Sequence, residues 1–204
     1  MKTDQHWEQV YRSRPTTEVS WYRAHLERSL ESIRRVAPSH NAAILDVGAG
    51  ASTLIDDLLS AGYARLTVLD IAVSALESSR VRLGTRATAV NWRVGNVLDV
   101  ALPAHHFDVW HDRAVFHFLT GASDRQQYVA QMTTALRRGG HGLIATFGPE
   151  GPLRCSGLEV VRYDAESLST ELGKGFRLVD WTIEHHETPA GAAQQFLYAL
   201  FAAG

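Results

Sequence analysis

Cysteine is almost absent from this sequence: Cys155 stands alone. That excludes an internal disulfide framework and favours a reducing, cytoplasmic compartment. Long apolar runs are also missing, for no stretch approaches the roughly 18 residues that a membrane helix needs. Charge is nearly balanced, with 20 Lys and Arg against 22 Asp and Glu. A net charge of -2 gives no basic surface, so no nucleic-acid partner is expected. The stretch MKTDQHWEQVYRSRP has no apolar core flanked by a cleavage site, so no secretory signal is expected there. Repeats and low-complexity tracts are likewise lacking. What is present, 204 residues of which 45% are apolar and 21% charged, suffices for one globular domain with its own core.

Along the chain, helical and strand patterns alternate. In VSWYRAHLERSLESIRRVAP the apolar residues Val19, Tyr22, Leu26, Leu30, Ile33 and Ala37 recur at intervals of three and four before Pro38. That pattern predicts an amphipathic helix. AAILDV is a short apolar run bounded by glycine, a buried strand, and a helix from about Thr53 to Ala61 then stops at Gly62. ARLTVLDI and AVSALESSRVRL give a second strand and helix, and ATAVNWRVGNV and FDVWHD a third and fourth strand. Ser123 and Gln126 have capping-box spacing for the helix DRQQYVAQMTTALRR, which Gly139 and Gly140 close. HGLIATF is a fifth strand. After the loop GPEGPLRCSG, DAESLSTELGKG is helical, and FRLVDWTIEH and QQFLYALFA are strands joined around HETPAG. The sum is an α/β, Rossmann-like domain with a seven-stranded, mostly parallel sheet and helices on both faces. The last strand is antiparallel, because no helix separates the final pair.

The stretch ILDVGAGAST places the site. In open α/β sheets, ligands bind beyond the carboxyl ends of the strands where strand order reverses, and the loop after the first strand lies there. Gly48 and Gly50 let the backbone approach a ligand, although the same turn also serves plain strand-to-helix geometry. Asp46 fixes a negative charge at the strand's end. Asp70, some 20 residues past the glycines, stands where such folds hold a ribose, and a carboxylate accepts from both ribose hydroxyls. A dinucleotide fingerprint needs Gly or Ala where this chain has Thr53, and Asp46 would oppose a pyrophosphate. A cationic ligand without phosphates, S-adenosyl-L-methionine, suits the acid better.

LDVGAGAS, followed by VLDIA, resembles the cofactor-binding core of class I S-adenosylmethionine-dependent methyltransferases, and the resemblance spans nearly the whole chain. It implies a single domain over 1–204, with an N-terminal helical lid over 1–38 and a Rossmann-like core over 39–204. It implies that Asp46, Gly48 and Gly50 contact the methionine part, Asp70 the ribose and Ile71 the adenine face. Many members carry an acid and an apolar residue after the third strand for the adenine edge; here Asn96 and Val97 take those places. His111 is placed on the cofactor side as well.

The fourth strand's end, WHDRAVFHFLT, lacks the proline-flanked motif of many amine methyltransferases. HDRAVF looks instead like the Asp-Arg segment of thiopurine methyltransferase-like enzymes, and more loosely like the Asp-Lys segment of elongation-factor lysine methyltransferases. By that likeness Asp112, Arg113 and His117 are the catalytic candidates, while Asp112 also suits a helix cap. The N-terminal WEQVYRSRPTTEVSWYRAHLERSL is similar to bacterial small-molecule members that close the site with an N-terminal helix, which makes Trp21 and Tyr22 lid residues. His186 joins the substrate side, on a rim shared with His185, His111 and Cys155. Their spacing matches no metal signature, so no metal is expected. The expected activity is methyl transfer to a small-molecule acceptor, a thiol or other soft anion, by a monomer or weak dimer. The alternatives are protein lysine methylation, a nicotinamide-dependent oxidoreductase, and a cofactor-binding module without catalysis.

Overall fold

The computed structural model describes residues 3–13 and 15–204. The run AILDV is wholly buried as β1 (Ala43–Val47), near the middle of a seven-stranded sheet. On one side of it lie β2 (Arg65–Asp70) and β3 (Val90–Val94), on the other β4 (Phe107–Arg113) and β5 (Leu136–Phe147), all parallel. The loop after β5 carries a small ribbon, β6 (Arg154–Cys155) with β7 (Leu158–Glu159). The chain then forms β8 (Phe176–Glu187) and β9 (Ala193–Ala203). The last strand, β9, is antiparallel to both neighbours and inserts between β5 and the edge strand β8. Strand order is therefore β3-β2-β1-β4-β5-β9-β8, and β8 again runs with the parallel set. Order reverses between β1 and β4, so their carboxyl ends flank the crevice that such a sheet offers to a ligand.

Among the described residues six α-helices accompany the strands: α1 (Thr3–Ser13), α2 (Glu27–Val36), α3 (Leu54–Ser60), α4 (Val73–Leu83), α5 (Ala122–Ala135) and α6 (Ala165–Leu172). Alternation along the strands sends Ile44, Val68 and Val109 against α2, α3 and α4, and Leu45, Trp110 and Ile144 against α5 and α6. Packing decides more than propensity here. A seven-residue helix such as α3 is too short to persist alone in water, but it buries Leu54, Ile55 and Leu58. Each such side chain contributes about 1.5–3 kcal/mol when fully buried.

Three local expectations are corrected. The helix predicted from Val19 begins only at Glu27. Upstream, the carbonyls of Ser20, Trp21 and Arg23 accept from His186, Arg113 and Thr53, so they are taken by distant side chains rather than by helical amides. Asp57 then takes the Leu26 amide at 3.2 Å and His25 Nδ1 at 2.8 Å, which fixes the start of α2. The Ser123–Gln126 capping box does not form, because α5 is entered from Gly121 with no side-chain cap. Its end lies at Ala135 rather than at Gly139 and Gly140, since Leu136 already pairs with Phe107 as the first residue of β5. A true reciprocal box appears instead at α6, where Asp164 accepts from the Ser167 amide.

Candidate active site

The carboxyl ends of β1, β2 and β4, with α1 above them, enclose a cleft of about 140 Å³. One half is acidic. Asp46 is the penultimate residue of β1, and its register partner on β4 is His111. His111 Nδ1 meets Asp46 Oδ1 at 2.6 Å, and its Nε2 meets Ser29 Oγ of α2 at 2.9 Å. All three are buried, yet Asp46 Oδ2 has no hydrogen-bond partner among the described residues. Asp70, at the end of β2, accepts the Gly50 amide on one oxygen and the Ala72 amide on the other, both at 2.7 Å. Each oxygen keeps a second lone pair. Burial pushes its pKa up to about 6, against the pull of those amides. Ile71, Asn96 and Val97 complete this half, with Asn96 Oδ1 accepting the Leu98 amide at 3.0 Å.

Gly48 and Gly50 join the two halves, both with positive φ, at +58° and +55°. A Cβ on Gly48 would meet Val115 Cγ2 at 1.9 Å, and one on Gly50 would meet Tyr11 Oη at 2.1 Å. Only glycine fits, because any side chain would displace what already covers the loop.

The second half is aromatic and cationic. Trp7 and Tyr11 descend from α1 onto Trp21, their rings edge-on to it at 6.0 and 6.1 Å, and Phe118 meets Trp7 at 5.0 Å. Arg113 ends β4 beneath them. Its Nε donates to Tyr198 Oη of β9 at 2.8 Å, its Nη1 to the Trp21 carbonyl at 2.9 Å, and the guanidinium lies 4.7 Å from the centre of the Phe196 ring. Its Nη2 is buried with no partner among the described residues. Ala114 follows with φ 73°, an unusual conformation for a residue with a side chain, and turns the chain sharply at the cleft wall. Cys155 reaches the same wall from β6, its thiol pushed up to about 11 by burial.

The fold thus gathers Asp46, Gly48, Gly50, Asp70, Ile71, Asn96, Val97, His111, Arg113 and Trp21 around one cleft. It does not bring the remaining candidates there. Asp112 is on β4 between His111 and Arg113, so strand alternation turns it to the opposite face. There its carboxylate accepts from the Val115 and Phe116 amides and from Tyr128 Oη, at 2.8, 3.0 and 2.6 Å. It holds the turn after β4 and is not placed to touch a substrate. His117 is fully buried in that turn, where Nδ1 accepts the Phe147 amide at 3.2 Å. Burial, and then the charge of Arg113, pull its pKa down to about 3, so it is a neutral packing residue. Tyr22 lines a smaller crevice behind Trp21. His186 donates Nε2–H to the Ser20 carbonyl at 2.7 Å and fastens the segment that bears Trp21 without entering the cleft. His185, its neighbour on the strand, is exposed on the other face.

Among the residues that build the site, Trp7 and Tyr11 on the cleft wall and Ser29 behind His111 were not singled out from the sequence. Trp7 and Tyr11 were detectable, since HWEQVYR spaces two aromatics by four, one face of a helix. Ser29 left no signal, because its partner lies 82 residues away.

Residues 45–144 match the family described as Methyltransferase domain. EEF1A lysine methyltransferase 2 of Homo sapiens is 23% identical over 195 residues, covering 87% of this chain and 75% of that protein. Its Danio rerio counterpart is 28% identical over 114 residues, covering 53% of this chain and 49% of that protein, so this match spans about half the relative's length. Among solved structures, the protein concerned with conversion of a disulfide bond into a thioacetal group during echinomycin biosynthesis superposes with a TM-score of 0.80. It is 17% identical, over 98% of this chain and 93% of that one. N-methyltransferase NodS of Bradyrhizobium japonicum WM9, solved with S-adenosyl-l-homocysteine, has a TM-score of 0.72 and 18% identity, over 97% of this chain and 98% of that one.

Proposed function

We propose that the chain is a class I S-adenosylmethionine-dependent methyltransferase, a reading supported by the family match over residues 45–144 and by the shared fold, and that it methylates a small-molecule nucleophile, a thiolate or other soft anion. The observation that carries this reading is the Arg113 guanidinium, held by Tyr198 and the Trp21 carbonyl with Nη2 left over at the cleft. A fixed cation there attracts an anionic acceptor and repels an ammonium.

The acidic half fits the cofactor. Asp46 Oδ2 is an unpaired buried acceptor for its ammonium, Asp70 retains lone pairs for the ribose hydroxyls, and Ile71, Val97 and Asn96 would flank the adenine. Bound there, the cofactor supplies a methyl carbon already activated by its sulfonium. The protein is left with alignment, exclusion of water and management of the acceptor's charge. Trp7, Tyr11 and Trp21 form an apolar roof. Around the acceptor half, among the described residues, no carboxylate lines the wall. An acceptor that arrives as an anion needs no base. A thiol, with a reference pKa of about 8.5, meets that condition far more readily than a lysine amine at about 10.4. The fold shared with the echinomycin protein, whose chemistry involves sulfur, is consistent with this choice.

The second reading, methylation of a protein lysine, is supported by the likeness to EEF1A lysine methyltransferase 2. It requires the ammonium to lose its proton beside Arg113. A competition assay with labelled cofactor separates the two, offering small thiols, carboxylic acids, phenols and lysine peptides to wild type and Arg113→Ala. Labelling of thiols that drops in the variant supports the proposal. Exclusive labelling of lysine peptides overturns it.

A further inference from the structure

α4 begins without a cap of its own. Its N-cap residue is Ala72, which has no side-chain acceptor where Ser, Thr, Asp or Asn is usual. The missing acceptor arrives from α1: Glu8 Oε1 takes the Ser74 amide at 3.1 Å, and Glu8 Oε2 lies 3.2 Å from Arg12 Nε one turn on. A carboxylate suits this place, because a helix N-terminus carries partial positive charge. Ala72 also donates its amide to Asp70 at 2.7 Å, so one short turn binds both the ribose-side acid and the lid helix.

Among the described residues, the Glu8 cap is the contact that ties α1 to a helix end. Among the described residues α1 buries none of its own in the core, and Trp7 and Tyr11 anchor it further against the cleft. Those two and Glu8 are spaced by one, three and four, so they share a side of the helix and move with it. Burial raises the Glu8 pKa, but Ser74, the Val73 amide and Arg12 outweigh it, leaving a carboxyl below its ordinary value and ionised at neutral pH.

We propose that Glu8 is a positioning residue: by capping α4 it holds α1 in the place that keeps Tyr11 over Gly50 and Trp7 against Trp21, and thereby sets how fast the cofactor leaves. This rests on the cleft being the cofactor site.

The test uses the full chain and S-adenosylhomocysteine as probe, with Trp7 and Trp21 as fluorescent reporters of its dissociation in a stopped-flow instrument. Glu8→Ala should speed dissociation by about tenfold, as loss of a charge-assisted hydrogen bond implies, and should raise amide exchange across residues 3–13. Glu8→Gln, which keeps the accepting oxygen, should recover most of the wild-type rate. A double variant, Glu8→Ala with Ala72→Ser, gives α4 its own cap. It should recover thermal stability while dissociation stays fast. An unchanged rate in Glu8→Ala, or full recovery of the rate by Ala72→Ser, would show that Glu8 only stabilises α4 and would overturn the proposal. Failure of the wild type to bind the probe would overturn the cofactor site itself, a separate result.

Discussion

Asp46 on β1 and His111 on β4 are register partners in adjacent parallel strands, and their side chains meet at 2.6 Å. Side chains in register on parallel strands face the same way, so the two strands that flank the crevice deliver an acid and an imidazole to one spot. His111 engages Asp46 through one nitrogen and Ser29 through the other. It therefore holds one oxygen of Asp46 in place, while the second oxygen has no partner among the described residues.

If that orientation matters, Ser29→Ala should weaken S-adenosylhomocysteine binding by about fivefold, the loss of roughly one hydrogen bond. The fold should survive, since the substitution removes a single hydroxyl. Calorimetry at neutral pH checks this, and an unchanged affinity would show that Asp46 keeps its orientation without α2.

Cofactor affinity should depend on pH through Asp70. Its folded pKa is raised to about 6 by burial, and only the ionised carboxylate can accept from both hydroxyls. Binding should therefore tighten as pH rises from 5 to 7, with proton release near pH 6. Asp70→Asn should bind at least about tenfold more weakly and lose that dependence. A flat pH profile in the wild type would argue against ribose recognition by this residue.

Asp112 should matter to the fold rather than to the acceptor. Asp112→Ala leaves the half-buried Val115 amide, the buried Phe116 amide and Tyr128 Oη without their acceptor, which costs about 3 kcal/mol or more. Urea unfolding should show that loss. Arg113→Ala, by contrast, should change acceptor labelling more than stability. Wild-type stability in Asp112→Ala would contradict the assignment.

His117 gives a pH signature of opposite origin. Its folded pKa, about 3, lies below the unfolded value near 6.5, so the unfolded chain binds the extra proton in that window. Stability from this group is complete above 6.5 and falls by about 1.4 kcal/mol per pH unit as pH drops towards 3. Asp70 and Asp112, both raised from 3.8 to about 6, act in reverse: the folded state holds their protons, and stability falls as pH rises between those values. The His117 contribution is isolated by subtraction. The stability gap between wild type and His117→Asn should narrow steadily as pH falls below 6.5, and a constant gap would mean that the histidine is protonated in the folded protein.

How much of this was written locally can be judged residue by residue. The glycine loop and Asp70 were legible because strand ends and tight turns are short-range matters. So was the sheet, apart from the extent of β5. The segment before Glu27 was not, since its carbonyls are claimed by Arg113 and by His186, which is 166 residues from Ser20. No local periodicity records such partners. Asp112 differs in kind. The alternation within FDVWHDR already sets it opposite Arg113, so its misplacement came from reading Asp-Arg as a unit when a strand divides neighbours between two faces.

The insertion of β9 between β5 and β8 has a consequence for the order in which the molecule becomes competent. Everything on the acidic half, from Asp46 to Val97, has been made once the ribosome has passed β3, and His111 follows shortly. Arg113 has to wait. Its anchor, Tyr198, lies in β9, about a hundred residues beyond Val97. A nascent chain thus assembles its ligand-holding side early and its acceptor-facing cation later, so the two halves of the cleft are separated in time by the emergence of about a hundred residues.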